Sequence, residues 1–173
     1  MRKISLIRNV YKEGEIDEIL SWADIIYVGP GNTEFMLSKW REFSIAEKLR
    51  KIYEEDGAVL SGMSAGAICW FTKGYTDSEA FTGKEDWKCE VISPDTGVID
   101  LMFCPHYQNW ERHGFDSEVE KSQMNGLALT DGAMATWDGK ELRYYFSLKN
   151  AKAITFTREN GALIRKEYYE NIT

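Results

Sequence analysis

The chain has 173 residues, 43% of them hydrophobic, and a formal net charge of −7, a size that suits one domain over residues 1–173 and is short for two. The acidic balance repels phosphate backbones and no stretch concentrates Lys and Arg with aromatics, which argues against a nucleic-acid partner. No run of about 18 apolar residues exists, so no membrane-spanning helix is expected.

The N-terminal MRKISLIRNVYKEGE lacks the apolar stretch and small-residue cleavage site of a secretory signal, and a cytoplasmic protein is expected. Within it KISLIRN reads as a first strand. EIDEILSWA follows as a short amphipathic helix, and ADIIYVGPGNT as an apolar strand ending in a glycine-rich turn. Asn32 or Thr33 can cap a helix through FMLSKWR, and Ser44 with Glu47 has the S-x-x-E spacing of a capping box for AEKLRKIYEED. AVLS is a further buried strand, running into the turn at Ser64 and a helix AGAICWF. Alternation of this kind, with continuous apolar strands, predicts an α/β fold whose mostly parallel sheet is flanked by helices. In the second half, GVIDLMFCPHY is a strand ending at Pro105 and ERHGFDSEVEKSQMN is helical. LALTDGAMATWDGKELRYYF holds short strands with an Asp138-Gly139 turn, and AITFTRENGALIRKEY is a hairpin through Asn160-Gly161.

Gly62-Met63-Ser64-Ala65-Gly66 matches G-x-S-x-G, with a strand before it and a helix after. Such a turn leaves no room for side chains flanking the serine, and the helix N-terminus aims N–H groups at a developing oxyanion. The competing explanation is packing, in which small residues merely let helix and strand approach. A serine nucleophile needs a base, and the chain offers His106 and His113. His106 follows its strand through Pro105, at the carboxyl edge where parallel sheets bind ligands; His113, in the polar run NWERHGFD, reads as a surface residue. An orienting carboxylate could come from Asp77, Glu79, Asp100, Glu111 or Asp131, of which Asp131 directly follows a short apolar strand.

Gly29 and Gly31 in GPGNT permit close backbone approach to a ligand, with Asn32 and Thr33 as polar contacts at a helix start or as a simple turn and N-cap. The loop is neither a Walker loop nor GxGxxG, so no nucleotide is expected. Cys69, Cys89 and Cys104 form no CxxC pair, and neither histidine has metal-ligand spacing, so no metal, cofactor or disulfide frame is expected.

Taken in order, ADIIYVGPGNTEFML, VLSGMSAGAI, FCPHY and LALTDGA resemble the peptidase E family of serine peptidases, which includes the aspartyl dipeptidases and is related to cyanophycinases. That resemblance implies a fold similar to class I glutamine amidotransferases, a flavodoxin-like three-layer arrangement, with Ser64 as nucleophile and His106 as base. It also implies oxyanion-hole N–H groups from Gly31 and Ala65, and a Glu or Asp as third residue, for which Asp131 is the match by position. The order Ser, His, acid differs from that of α/β-hydrolases, where the acid precedes the histidine. Three departures stand out. Family members begin with a further strand and helix ahead of KISLIRN, a unit of roughly 30 residues, and without it the exposed sheet edge would need cover such as a homodimer. Pro30 replaces the middle glycine of the usual GGGNT and removes one donor. In the aspartyl dipeptidases an Arg after the His-Tyr motif binds the substrate aspartate, and here QNWERHGFDSEVEK offers only Arg112 and Lys121 as cations.

The function that the resemblance implies is hydrolysis of small peptides, in its narrowest form dipeptides with N-terminal Asp, through Ser64, His106 and Asp131 and an acyl-enzyme. Gly31, Asn32, Thr33, Ala65 and Arg112 would contact the oxyanion or the substrate. The alternatives are an inactive binding or regulatory protein of the same family, and an esterase or amidase with the same three residues.

Overall fold

The computed structural model describes residues 1–170. KISLIRN forms no strand: the Ser5 carbonyl accepts the N–H groups of Arg8 and Asn9, and Ser5 N–H donates to the Tyr11 hydroxyl at 2.6 Å. This segment satisfies part of its polar backbone in a local turn instead.

Helix α1 (Glu15–Ser21) buries Ile16 and Leu20. Strand β1 (Ile25–Val28) then pairs in parallel with β2 (Val59–Gly62), in a register that sets Val28 opposite Gly62. Between them lie α2 (Thr33–Glu42) and α3 (Ile45–Glu54). Asn32 caps α2 as its sequence suggests, its side-chain oxygen accepting Phe35 N–H at 2.8 Å. The Ser44 capping box does not form: Ser44 is left-handed (φ 51°, ψ 36°) and its side chain makes no cap bond. A capping hydroxyl needs an extended backbone, and only Phe43 and Ser44 separate the two helices, so Ser44 must make the corner.

The helix after Ser64 is a single turn, α4 (Ala65–Ile68), and β3 (Phe71–Thr76) follows almost at once. Sequence reading extends that helix through Phe71. Tertiary contacts decide otherwise, because Ile99 N–H donates to the Trp70 carbonyl at 2.9 Å and the Phe71 ring stacks on Phe103 with centroids 4.3 Å apart. Gly74 allows β3 to pass α4; a Cβ there would overlap the Ile68 side chain.

Strand β3 belongs to a six-stranded sheet with β4 (Glu90–Ile92), β5 (Ile99–Cys104), β6 (Gly126–Leu129), β9 (Ala153–Glu159) and β10 (Ala162–Tyr168), in the order β10-β9-β6-β5-β3-β4. Pairing is parallel at its centre, β3 to β5 and β5 to β6, and antiparallel toward both edges. The chain is thus a mixed α/β structure. The β9–β10 hairpin turns through Asn160 and Gly161, both at positive φ (51° and 84°), as a two-residue loop requires. Strands β7 (Ala133–Trp137) and β8 (Leu142–Phe146) form a separate hairpin, in which Asp138 accepts the N–H groups of Lys140 and Glu141. The helical run predicted over 111–125 divides into a 3₁₀ turn (Trp110–Arg112) and α5 (Phe115–Ser122). Gly114 marks the break, where a side chain would collide with the Tyr75 hydroxyl.

Both faces of the central strands are buried, because successive side chains point opposite ways. Phe103 and Leu127 join the cluster under α1 to α4 that includes Leu37, Leu49 and Ile68. Met102, Cys104 and Ala128 face the other cluster, with Phe115, Val119, Ile154 and Phe156. Phe115 is fully buried and contacts the rings of Tyr75, Tyr107 and Phe156. No helix among the described residues is long and apolar enough to cross a membrane. Removing the Phe115 ring leaves a cavity among four elements, so Phe115→Ala is expected to lower unfolding free energy by about 3–5 kcal/mol, measured by urea denaturation followed by circular dichroism.

Candidate active site

Strands β1 and β2 end level with each other, so the loops at 29–32 and 63–65 leave the same carboxyl edge. Their backbones touch. Met63 N–H donates to the Val28 carbonyl at 3.3 Å, and Gly66 packs so closely on this loop that a Cβ would overlap the carbonyls of Val28 and Gly29. A Cβ at Gly62 would overlap the Gly66 carbonyl. Both glycines around Ser64 are therefore required by backbone approach.

The turn they permit holds Ser64 at φ 55°, ψ −119°, a sparsely populated region for a residue with a side chain. Its hydroxyl does not cap α4, and Ser64 is half-buried. The Ser64 carbonyl accepts the N–H groups of Ala67 and Ile68. Among the described residues, neither Gly31 N–H nor Ala65 N–H donates to a backbone acceptor. Two donors are thus left at this edge, one on each side of the contact between the loops.

His106 follows β5 and is also at positive φ, 54°. Its Nδ1 lies 2.6 Å from Asp131 Oδ1, with the two side chains 34% and 59% exposed. The loops carrying them are laced together: Tyr107 N–H donates to the Leu129 carbonyl at 3.1 Å, and Asp131 N–H donates to the Gln108 side-chain oxygen at 3.0 Å. Because β5 and β6 are parallel, the loops at 105–108 and 130–131 leave the same edge. Three of the other carboxylates considered from sequence are engaged elsewhere. Asp77 pairs with Arg112 at 2.9 Å, Glu79 with Lys84 at 2.7 Å, and Asp100 accepts from Thr72 at 3.1 Å. His113 is exposed.

Three residues expected to contact substrate have their side chains committed within the protein. Asn32 caps α2 and also donates to the Ser78 carbonyl at 3.0 Å. Thr33 is 2% exposed and accepts from the Thr76 hydroxyl at 2.9 Å. Arg112, expected to reach a substrate carboxylate, is 2% exposed, with Nη1 on the Tyr75 carbonyl at 2.7 Å and Nη2 on Asp77. A guanidinium this deeply buried has to be paired, and a position inside a polar run gives no sign of such burial. Gln108 is a residue that sequence reading missed. It stands two residues after His106, but only the fold brings its side chain to Asp131.

A family model described as Peptidase family S51 matches residues 2–145. The chain is also 37% identical over 113 residues to a Bacillus subtilis (strain 168) protein described as an uncharacterized peptidase, YgaJ. The match covers 64% of this chain and 45% of that relative, so the chain spans about half the relative's length.

Two outcomes follow from this geometry. Gly66→Ala cannot be accommodated without parting the loops at 29–32 and 63–65, and is expected to lower the thermal unfolding midpoint by about 3 °C or more, an effect of at least about 1 kcal/mol. The thiols supply a second test. Burial pushes Cys69, Cys104 and, less completely, Cys89 above the ordinary thiol range, and Cys69 and Cys104 are fully buried. Titration of the folded protein with a disulfide reagent at pH 8 should modify Cys89 alone, slowly, with all three reacting in denaturant.

Proposed function

Since the chain belongs to peptidase family S51, we propose that it is a serine peptidase that hydrolyses small peptides with Ser64 as nucleophile. The observation that carries this reading is the backbone of Ser64, held at φ 55°, ψ −119° with its hydroxyl free of any capping role. A chain keeps a non-glycine residue in such a conformation when the surrounding structure over-determines it, and such sites cluster where chemistry is done.

In this reading Ser64 Oγ attacks the peptide carbonyl as His106 Nε2 takes its proton. Asp131 on Nδ1 supports that assignment: it fixes the proton on Nδ1 and leaves Nε2 as the free base. The N–H groups of Gly31 and Ala65 receive the oxyanion, with Pro30 unable to add a third donor. His106 then protonates the departing amine, and water hydrolyses the acyl-enzyme by the same steps. Asn32 and Thr33 contribute through the backbone they anchor, because their side chains are used internally. The narrow form of the proposal, dipeptides with N-terminal Asp, rests on the family resemblance alone, since Arg112 is already paired with Asp77.

The test is a panel of Asp-, Glu-, Asn- and Ala-leading dipeptides and amides, with a simple ester beside them. Ser64→Ala should abolish both hydrolysis and labelling by a fluorophosphonate while leaving the circular dichroism spectrum unchanged; hydrolysis retained by that variant would sink the serine mechanism. Asp131→Asn should lower kcat by about 10³–10⁴-fold, because an amide can donate to Nδ1 and move the imidazole proton to Nε2. Cleavage of the ester alone would make the protein an esterase with the same residues.

A further inference from the structure

The glycine loop and the histidine loop lie on different sheets. Gly31 follows β1, in the two-stranded sheet, and His106 follows β5, in the six-stranded one, and among the described residues no ladder joins the two. Something other than strand pairing must hold the two loops at a fixed separation. A chain of polar contacts, buried at Thr33, Thr76, Ser78 and Arg112, spans the gap.

It starts at His106, whose carbonyl accepts Asn109 N–H at 3.0 Å; the Asn109 carbonyl in turn accepts Arg112 N–H at 3.0 Å. Arg112 reaches across to the end of β3, donating to the Tyr75 carbonyl and pairing with Asp77. Within that corner the Thr76 hydroxyl donates to Thr33 Oγ1 and lies 2.9 Å from the Ser78 hydroxyl. Ser78 completes the connection. Its Oγ accepts Glu34 N–H at 3.2 Å and its carbonyl accepts the Asn32 side chain at 3.0 Å, one residue from Gly31. Thr33, Thr76, Ser78 and Arg112 are each 2% exposed or less.

We propose that Arg112, Thr76 and Ser78 are positioning residues that set the Gly31 loop against the His106 loop, and so place the oxyanion donor relative to the base. The role of the two loops rests on the serine peptidase reading; the bracket between them stands on its own contacts. None of the three side chains touches substrate in this assignment. Arg112 suits the task because its planar guanidinium holds a carbonyl and a carboxylate at once, in a fixed relation that the single ammonium of lysine does not reproduce. Burial makes the bracket exacting, since any member left unpaired is a desolvated polar group.

The test compares wild type with Thr76→Val, Ser78→Ala, Arg112→Lys and Arg112→Met, each verified as folded by circular dichroism, in two measurements. The first is amide hydrogen exchange over residues 29–34 and 106–109, which does not depend on activity. The second is kcat and KM on the best substrate of the dipeptide panel. Exchange over 29–34 is expected to quicken at least about tenfold in Thr76→Val, Ser78→Ala and Arg112→Met. In the same variants kcat should fall about 10–100-fold with KM changed less than about threefold, the cost of a misplaced group rather than of lost binding. Arg112→Lys should fall between wild type and Arg112→Met in both. Wild-type exchange in folded variants would overturn the bracket, and faster exchange with unchanged kcat would overturn its role in placing the oxyanion donor. A wild type that neither turns over nor takes a fluorophosphonate label, with exchange still raised in the variants, would leave the bracket standing and remove the serine peptidase reading.

Discussion

The approach of Gly66 to the carbonyls of Val28 and Gly29 is the contact on which the rest of the candidate site depends. It presses the turn after β2 directly onto the loop after β1, at a separation that any side chain would forbid. Gly62 lies beneath the Gly66 carbonyl under the same constraint. Between these two points Ser64 takes up a sparsely populated conformation, φ 55° and ψ −119°, worth about 1–3 kcal/mol of strain. The uncapped hydroxyl of Ser64 and the donors left at Gly31 and Ala65 lie at the same close contact.

That contact fixes one half of the site, and the other half is held differently. His106 and Asp131 lie on loops after adjacent parallel strands, so their meeting follows from the β5–β6 register. A half-exposed pair of this kind contributes about 0–1 kcal/mol to stability, and its consequence is orientation of the imidazole rather than folding. The backbone lacing from Tyr107 to Leu129 and the Gln108 contact to Asp131 serve the same geometry.

Joining the halves falls to buried polar groups because the two sheets share no ladder. The aromatic and aliphatic core beneath α1 to α4 supplies cohesion across that gap, with Ile26, Val28 and Leu60 of the two-stranded sheet packed against the cluster that holds Phe71 and Phe103. Apolar packing is tolerant of small shifts in position, whereas the hydrogen bonds among the Thr33, Thr76 and Ser78 hydroxyls, and those of the Arg112 guanidinium to the Tyr75 carbonyl and Asp77, hold only over a few tenths of an ångström. The fold therefore uses its core for stability and the corner at residues 75–78 for precision.

The features legible in the sequence are those set within a few residues. Glycine spacing around Ser64, the Asn32 cap and the Asn160-Gly161 turn each follow from local backbone sterics, and each occurs where the residues indicate. Apolar runs likewise located β1, β2 and β5, although β1 and β2 leave Ile25, Tyr27 and Val59 exposed on one face. What the tertiary structure alone decided depends on partners distant in the chain. KISLIRN reads as a strand but closes into a local turn, Ser44 has capping spacing but must turn a corner, and Phe71 leaves its helix to stack on Phe103. Asp131 was the positional match among five carboxylates, and the register of β5 and β6 brings it to His106; Arg112 was expected to contact substrate, and the fold encloses it against Asp77 instead. Sequence by itself determined which residues could do chemistry, since that is a property of side chains and local turns; which of them meet is a property of strand pairing and burial, and only the assembled chain sets those.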